Sequence, residues 1–331
     1  MSVIIDIVGY GLIGKAVAQK VVQKGWSIRH VVKSDGLYKL ESGMLQCLGD
    51  RESYAHHMLG VDLAFIAIPT KDNGEAALRY IGNYLSQADA AVVTCEKGAL
   101  SNHFHALQDR LDRIGFSASA GGGTRLIKFI ADRNVDCGRP EMHAVLNGTL
   151  NFVFDEMGRG DRTIGEAVDE AARLGYAEPG NTDVLAVING EIRDTVMKAA
   201  VVFNTCRFSL KPVRAMDVKC RLLDRMMLDH LLLEAGARRY IVSFTHFKPD
   251  DEAIGGFSLE MGDWWITGGF RELSANPLYA KVLPHGADNA VLIYEGQYGE
   301  DGSYRLSGPG AGPKPTARSM ILDAEHLLET K

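Results

Sequence analysis

Three glycines near the beginning of the chain have a spacing that suits the binding of a dinucleotide. Gly9, Gly11 and Gly14 form the pattern G-x-G-x-x-G between an apolar run at residues 3–8 and a stretch of helical periodicity at residues 15–24. In a strand–turn–helix unit, the first glycine permits a tight turn, the second lets the backbone approach a pyrophosphate, and the third lets the helix pack on the strand. The helix N-terminus then faces the phosphate charge. This pattern therefore predicts a nucleotide cofactor site.

Charged residues around the next predicted strand, residues 27–34, bear on which dinucleotide would bind. Asp35 lies 21 residues past Gly14, near the position where a carboxylate holds a ribose 2′-hydroxyl. Lys33 and Arg29 could instead bind a 2′-phosphate. The choice between NAD and NADP is therefore left open.

Two lysines can be interpreted either as functional residues or as ordinary surface residues. Lys97 follows a predicted strand at residues 88–94, and in an open parallel sheet the ligands bind beyond the carboxyl ends of the strands. Lys198 lies four residues after Asp194 in a predicted helix at about residues 190–204, so the two side chains share a helix face. A solvated loop lysine and a surface ion pair are the simpler interpretations, and spacing alone favours the surface ion pair.

The composition restricts the class of protein. The chain has 331 residues, of which 46% are hydrophobic and 24% charged, as expected for a globular protein of two domains. A net charge of −6 argues against a nucleic-acid partner, because a phosphate backbone requires a basic face. We expect no signal peptide and no membrane span, because no basic segment precedes the first apolar residues and no apolar run could cross a bilayer. Five scattered cysteines without a C-x-x-C motif indicate a reducing cytoplasm and no metal site.

The order of predicted elements indicates an α/β protein. Strands alternate with helices up to a last short strand at residues 116–120, which predicts a Rossmann-type parallel sheet with helices on both faces. The remainder predicts a second, α+β domain with strands at residues 141–147, 239–247, 255–261, 264–268 and 289–298. We predict a dinucleotide-binding domain at residues 1–135, a substrate-binding and dimerisation domain at residues 136–306, and a C-terminal segment at residues 307–331 whose helix returns to the first domain.

Beyond these motifs, the chain resembles the homoserine dehydrogenase family along nearly its whole length. The glycine turn belongs to the block VGYGLIG, and Lys97 belongs to VVTCEKGAL, which resembles the family's T-x-N-K-x-x-L block. Asp194 and Lys198 match the family's D-x-x-x-K helix. Further blocks occur in the family's order, namely SAGGGTRLI at residues 119–127, LNGTLNFV at 146–153, LGYAEP at 174–179, and GPGAG and PTA within 308–317.

The resemblance implies an NAD(P)-dependent oxidoreductase that interconverts L-homoserine and L-aspartate 4-semialdehyde, as in threonine and methionine biosynthesis. Lys198 or Lys97 would move the proton of the substrate oxygen. Asp194 would orient Lys198 or hold the substrate hydroxyl through a water. Glu178 would pair with the substrate ammonium, and the Gly148 turn with the Thr149 hydroxyl would hold the carboxylate.

Two sets of binding residues follow from the matched blocks. The cofactor set is Gly9, Gly11, Leu12, Ile13, Gly14, Lys33, Asp35, Pro69, Thr70, Lys97, Gly310 and Thr316. The substrate set is Gly148, Thr149, Tyr176, Glu178, Asp183, Asp194 and Lys198. Family members are usually homodimers that associate through the sheet of the second domain, and we expect the same of this chain.

Two departures from the family pattern bear on the substrate. Glu96 stands before Lys97 where the family usually has asparagine, and residues 180–183 differ from its usual D-P step. A dehydrogenase of another small amino acid or hydroxy acid is therefore the first alternative, and a non-catalytic dinucleotide-binding sensor is the second. The sequence contains neither an ACT domain nor an aspartate kinase, so we do not expect feedback through such a domain.

Overall fold

The computed structural model describes residues 3–133, 140–160, 162–176, 183–296 and 299–330. They fall into two compact units, one formed by residues up to 123 together with those from 313 onward, and the other by residues 124–312. The domain bounds at residues 135 and 306 concern parts of the chain that fold independently, and they remain a prediction. Among the described residues, none of the helices is both long enough and apolar enough to span a membrane.

The first unit is built on a sheet of seven strands with helices packed against it. Its strands are β1 (Ile4–Val8), β2 (Ser27–Lys33), β3 (Gly36–Glu41), β4 (Met44–Gly49), β5 (Leu63–Ile66), β6 (Ala91–Thr94) and β7 (Ile114–Gly115). The helices between them are α1 (Leu12–Gln23), α2 (Tyr54–His57), α3 (Glu75–Leu85) and α4 (Gly98–Asn102). The strand order is β4-β3-β2-β1-β5-β6-β7; the last five strands run parallel, and β3 and β4 are paired antiparallel. This confirms the predicted Rossmann-type sheet and adds a hairpin at one edge.

The central strands are buried on both faces, as their mainly apolar sequences predict, and Asp6 within β1 is buried with them. Ile5 and Ile7 of β1 and Leu63 and Phe65 of β5 are fully buried. A strand without alternating polar residues has no polar face that could be exposed to solvent. Such a strand is found where helices cover both faces of the sheet.

Residues 116–120, which the sequence predicts as a strand, instead form a turn after β7. The backbone N–H and the hydroxyl of Ser117 each donate to the carboxylate of Asp323 at 2.8 Å. The carboxylate thus takes the N–H group that a neighbouring strand would have bound. The prediction was wrong because a partner some 200 residues away in the chain decides the conformation.

The second unit contains a separate antiparallel sheet of seven strands. Its strands are β8 (Glu141–Val145), β9 (Cys220–Arg221), β10 (Arg238–Thr245), β11 (Ile254–Met261), β12 (Trp264–Glu272), β13 (Asp288–Glu295) and β14 (Gly302–Pro309). Its helices are α5 (Leu126–Ala131), α6 (Gly148–Gly158), α7 (Ile164–Arg173), α8 (Val184–Thr205), α9 (Arg225–Leu233) and α10 (Pro277–Val282). The strand order is β14-β13-β8-β10-β12-β11-β9, and every pairing is antiparallel. The predicted α+β character is confirmed.

Aromatic side chains hold α6 and α8 to one face of this second sheet. Phe154 of α6 packs on Phe270 of β12 with ring centroids 4.5 Å apart. Phe208, which follows α8, lies 4.7 Å from the ring of Trp264 and 5.6 Å from that of Phe203. Tilted aromatic contacts of this kind stabilise the packing beyond the effect of the apolar area that they bury. They therefore help to fix the two helices on the sheet.

The last helix, α11 (Pro313–Glu329), belongs to the first unit. Its apolar side chains Ala317, Met320 and Ala324 are fully buried and share a core cluster with Ile5 and Ile7 of β1. The predicted return of the C-terminal helix to the dinucleotide-binding part is therefore confirmed.

Candidate active site

The glycine turn joins β1 to α1 and is open on one side. Gly9 has a φ of +91°, and a Cβ atom there would lie 2.2 Å from the carbonyl oxygen of Ala67. A Cβ atom at Gly14 would lie 2.0 Å from the carbonyl oxygen of Gly9, so the fold itself requires glycine at both positions. At Gly11, in contrast, none of the described atoms lies within 4 Å of an added Cβ. The backbone at Gly11 can therefore be approached by a phosphate group.

Leu12 and Ile13 occupy the first turn of α1, where the helix does not use its own N–H groups. Gly11 is the N-cap residue and forms no side-chain cap, and the first backbone bond of the helix runs from Lys15 N to Gly11 O at 3.0 Å. The N–H groups of residues 12–14 precede this bond and take no part in the helical ladder. They lie at the positive end of the helix dipole, which suits a pyrophosphate.

Lys33 and Asp35 lie at the end of β2 and in the turn that follows it. Their side chains pair with each other at 3.1 Å, and this hydrogen bond lowers the pKa of Asp35 and raises the pKa of Lys33. Arg29, the other cation considered for a 2′-phosphate, instead donates to the carbonyl oxygens of His57 and Leu59. Lys33 is thus the cation that this turn offers next to Asp35.

The turns after β5 and β6 meet around a buried carboxylate. Thr70, predicted to bind cofactor with Pro69, donates its hydroxyl proton to Glu96. Glu96 also accepts from Gly98 N at 2.6 Å. Lys97 lies between these groups as the N-cap residue of α4 and is half-buried. The structure therefore brings the predicted cofactor residues Thr70 and Lys97 together at the carboxyl ends of two parallel strands.

Cys95 precedes Glu96 in the chain, and its thiol is expected to be unreactive. Burial raises the pKa of the Cys95 thiol to about 12, although the charge of Lys97 acts in the opposite direction. A thiol with this pKa is protonated at neutral pH and is a poor nucleophile. Covalent chemistry through Cys95 is therefore not expected.

The predicted substrate turn of the second unit, Gly148 and Thr149, opens α6. Its N-cap residue, Asn147, accepts from Leu150 N at 2.9 Å. A Cβ atom at Gly148 would lie 2.1 Å from the carbonyl oxygen of Ala287, so the turn requires glycine. The Thr149 hydroxyl donates to the carbonyl oxygen of Tyr176 at 2.6 Å. Three predicted substrate residues, Gly148, Thr149 and Tyr176, therefore lie together.

Helix α8 carries the predicted pair Asp194 and Lys198. The Lys198 Nζ and an Asp194 carboxylate oxygen lie 2.8 Å apart, and only 15% and 19% of the two side chains is exposed. This burial corrects the simpler interpretation as a surface ion pair, because spacing along a helix does not show which face is covered. A mostly buried ion pair keeps its geometry, since solvent competes little for either group.

Asp183, also predicted to bind substrate, is the N-cap residue of α8. Its carboxylate accepts from Leu185 N at 3.0 Å and from Ala186 N at 3.3 Å. The structure thus gives this carboxylate a role at the helix end. Glu178, predicted to pair with the substrate ammonium, lies outside the described residues.

Two polar residues near the substrate turn were not found from the sequence. Glu191 of α8 accepts from the side chain of Asn147 at 2.7 Å, and it lies one helical turn before Asp194. Asn289 is fully buried, and neither atom of its amide has a partner among the described residues. Helical spacing from Asp194 could have indicated Glu191. Asn289 stands in an apolar strand sequence and gave no signal.

Gly310 and Thr316 were predicted to bind cofactor near the end of the chain. A Cβ atom at Gly310 would lie 2.4 Å from the side-chain oxygen of Asn289, so the loop passes directly over that buried amide. Thr316 lies in the first turn of α11 and is buried. Gly310 belongs to the second unit and Thr316 to the first.

The parallel sheet and its glycine turn place the chain among proteins with a dinucleotide-binding fold. The model of one family in that class, described as homoserine dehydrogenase, matches residues 127–324, which is more than half of the chain. The chain belongs to the homoserine dehydrogenase family.

Relatives and solved structures agree with this membership. An NAD(+)-dependent homoserine dehydrogenase from Pseudomonas canavaninivorans is 26% identical over 255 residues, which cover 72% of this chain and 63% of that protein, so less than two thirds of its length is matched. A homoserine dehydrogenase from Methanocaldococcus jannaschii is 25% identical over an alignment of 360 residues that covers 98% of each chain. The structure of a hyperthermophilic archaeal homoserine dehydrogenase in complex with NADPH has a TM-score of 0.70 at 19% identity, covering 100% of this chain and 99% of that one. This likeness shows a shared fold.

Proposed function

We propose that the protein interconverts L-homoserine and L-aspartate 4-semialdehyde with NAD or NADP. The observation that carries the proposal is the pair Asp194 and Lys198, which lies inside the stretch matched by the family. Interconversion of an alcohol and an aldehyde needs a group that moves a proton at the substrate oxygen. An ammonium held at 2.8 Å from a carboxylate is a proton carrier of fixed position. The nicotinamide, when bound, accepts or supplies the hydride.

The first unit supplies the groups for the cofactor in this proposal. The N–H groups of residues 12–14 bind the pyrophosphate, and Thr70 and Lys97 serve the nicotinamide end at the carboxyl ends of β5 and β6. Asp35 suits the 2′-hydroxyl of NAD, while Lys33 suits the 2′-phosphate of NADP. A relative named as NAD(+)-dependent and a structure with NADPH support both as candidates.

The second unit supplies the groups for the substrate. We assign the substrate carboxylate to the backbone N–H groups of Gly148 and Thr149 at the start of α6, where the helix dipole favours an anion. The Thr149 hydroxyl serves a different purpose, because its proton already binds the Tyr176 carbonyl oxygen. It holds Tyr176, which precedes Glu178 by two residues, and we assign Glu178 to the substrate ammonium. Lys198 carries the proton and Asp194 orients it, with Lys97 as the other candidate carrier.

An assay of nucleotide reduction tests the proposal directly. Purified protein with L-homoserine and either NAD or NADP should produce the absorbance of the reduced nicotinamide. The rate of oxidation should rise from neutral to mildly alkaline pH, because the reaction releases a proton. Cofactor binding without turnover of any substrate in a panel of amino alcohols and semialdehydes would instead identify a sensor.

A dehydrogenase of another small amino acid or hydroxy acid is the second candidate. The helix cap formed by Asp183 favours this second candidate. Asp183 ends the stretch at residues 180–183 that differs from the family pattern, and its carboxylate already accepts from the N–H groups of Leu185 and Ala186. The same substrate panel separates the two candidates, since the preferred substrate has the highest kcat/KM.

We also propose a homodimer formed through the sheet of the second unit, and a cytoplasmic location. The scattered cysteines of the sequence support the location. Sedimentation equilibrium tests the dimer, and a stable monomer at micromolar concentration would contradict it.

A further inference from the structure

Glu96 is a buried carboxylate at the carboxyl end of β6, and 2% of its surface is exposed. One carboxylate oxygen accepts from Gly98 N at 2.6 Å and from the Thr70 hydroxyl. The other accepts from Ala99 N at 2.9 Å. Three donors thus converge on the two oxygens of one buried side chain, and these hydrogen bonds hold it in place.

These hydrogen bonds close a ring around Lys97. The side chain of the residue before Lys97 binds the N–H group of the residue after it, and Lys97 itself has φ of −103° and ψ of −23°. Gly98 N is held by Glu96 and the Lys97 carbonyl oxygen by Ser101 N, so the backbone that carries the Lys97 side chain has a defined direction. Asparagine, the usual residue at this position of the family, has one acceptor oxygen with two lone pairs and cannot serve all three donors.

The backbone packs closely around this ring of hydrogen bonds, so a change in the ring would displace the neighbouring backbone. A Cβ atom at Gly98 would lie 2.7 Å from a carboxylate oxygen of Glu96 and 2.8 Å from the Cα of Gly74. Gly74 has a φ of +94°, and a Cβ atom there would lie 2.1 Å from the carbonyl carbon of Gly98. The loop after β5 and the turn after β6 therefore touch backbone to backbone, with no slack around the carboxylate.

We propose that Glu96 is a positioning residue that sets the direction of the Lys97 side chain. It acts on cofactor binding and on the reaction through Lys97 rather than by its own contact with a ligand. The inference rests on the proposed function, because it assumes that Lys97 serves the cofactor or the proton transfer.

A double-mutant cycle with Glu96→Gln and Lys97→Met tests the inference. Glutamine keeps the shape of the side chain but replaces one acceptor oxygen by an NH2 group that cannot accept. In the presence of Lys97, we expect Glu96→Gln to lower kcat about 10-fold to 100-fold and to raise the Kd of the reduced nucleotide about threefold or more. The pH profile of kcat should shift as well. In the Lys97→Met background, the same change should alter Kd by less than about twofold, because the residue through which it acts is gone.

Thr163→Ala provides the matched control for the loss of a helix cap. The Thr163 hydroxyl accepts from Glu166 N in the capping box of α7, and neither residue has been assigned to the cofactor or the substrate. This variant should lower Tm and leave kcat, the pH profile and Kd unchanged. If Glu96→Gln behaves like the control variant, or if it changes the Kd of the reduced nucleotide by the same factor in both backgrounds, Glu96 only stabilises the start of α4. Either result would overturn the inference.

Failure of the proposed function would look different. A wild-type protein that reduces no nucleotide with homoserine would contradict that function. The Kd cycle needs no turnover, so it would still decide whether Glu96 acts through Lys97.

Discussion

Single side chains at the candidate site have definite partners within their own unit. Lys198 pairs with Asp194, the Thr149 hydroxyl with the Tyr176 carbonyl oxygen, and Glu96 with N–H groups of α4. Each contact removes one degree of freedom from a group that would act on a ligand. Groups fixed in this way need little reorganisation when a reaction begins, which is how positioning lowers a barrier.

Replacement of Lys198 by alanine should remove most of kcat. A positioned proton carrier contributes about 10²-fold to 10⁴-fold to the rate, and the variant lacks it. Nucleotide binding, which we assign to the first unit, should persist in a fluorescence titration. Asp194→Asn is the companion variant and should lower kcat less, because the ammonium remains. A Lys198→Ala protein with near-normal kcat would exclude Lys198 as the carrier.

Removal of the Asp35 carboxylate should shift cofactor preference toward NADP. Its hydrogen bond holds Lys33, and its charge repels a 2′-phosphate. We expect the ratio of kcat/KM for NADP to that for NAD to rise about tenfold in Asp35→Ala, a change typical of one hydrogen bond to a charged group. Lys33→Ala should shift the ratio the other way. An unchanged ratio in both variants would place the ribose elsewhere.

Thiol labelling should separate the half-buried Cys95 and Cys206 from the exposed Cys47. Burial raises the pKa of Cys95 and of Cys206 to about 12, whereas Cys47 is exposed. A raised thiol pKa leaves less thiolate at pH 8, and only the thiolate reacts with iodoacetamide. Peptide mapping by mass spectrometry should therefore find Cys47 modified in the native protein, and Cys95 and Cys206 only after unfolding. Early modification of Cys95 would contradict the assigned burial.

Among the elements, those with a strong local signal were predictable. The apolar run before Gly9 predicts a strand from its own residues, and that strand forms as expected. The hairpin of β3 and β4 was missed because only Gly36 and Leu37 of its two strands are buried, so it lacks the apolar run that marks the central strands. Strand β14 was missed as well, because its glycines, serines and proline resemble a loop, and only pairing with β13 makes it a strand.

The cap of α8 gives a prediction about Asp183 that separates structure from binding. Asn caps a helix about as well as Asp, whereas Ala does not. Asp183→Ala should therefore lower the free energy of unfolding by about 0.5–2 kcal/mol, and Asp183→Asn should restore it. Denaturant unfolding measures this effect. If the KM for homoserine is normal in Asp183→Asn, the carboxylate is a cap alone; a KM raised tenfold would show that its charge also binds the substrate.

In the molecule as a whole, the sequence indicated the α/β class, the α+β second part and the return of the last helix. It could not indicate the hydrogen-bond partners that decide what each site residue does. Whether Asp183 binds a ligand or caps α8 depends on where α8 begins, and Val184 starts it earlier than the periodicity near residue 190 indicates. The burial of Lys198 likewise depends on packing that no local pattern encodes.

The returning helix α11 should be essential to the stability of the first unit. Met320 is fully buried against the core of that unit, and Met320→Ala should lower the free energy of unfolding by about 2–5 kcal/mol through lost contacts and a cavity. Leu322, two residues further along, is exposed and provides the control, since Leu322→Ala should change it by less than about 0.5 kcal/mol. Equal effects of the two substitutions in denaturant unfolding would contradict this packing.

That same arrangement dictates an order of events on the ribosome. Residues 124–312 emerge as one continuous stretch, whereas β1 is synthesised before them and α11, which joins the same core cluster, after them. At a translation speed of about 5–20 residues per second, the nascent amino-terminal sheet waits about 10–40 s for the segment that completes it. During that interval the apolar surface of β1 can bind chaperones that hold unfolded chains. The second unit, although synthesised later, can reach its native state before the first.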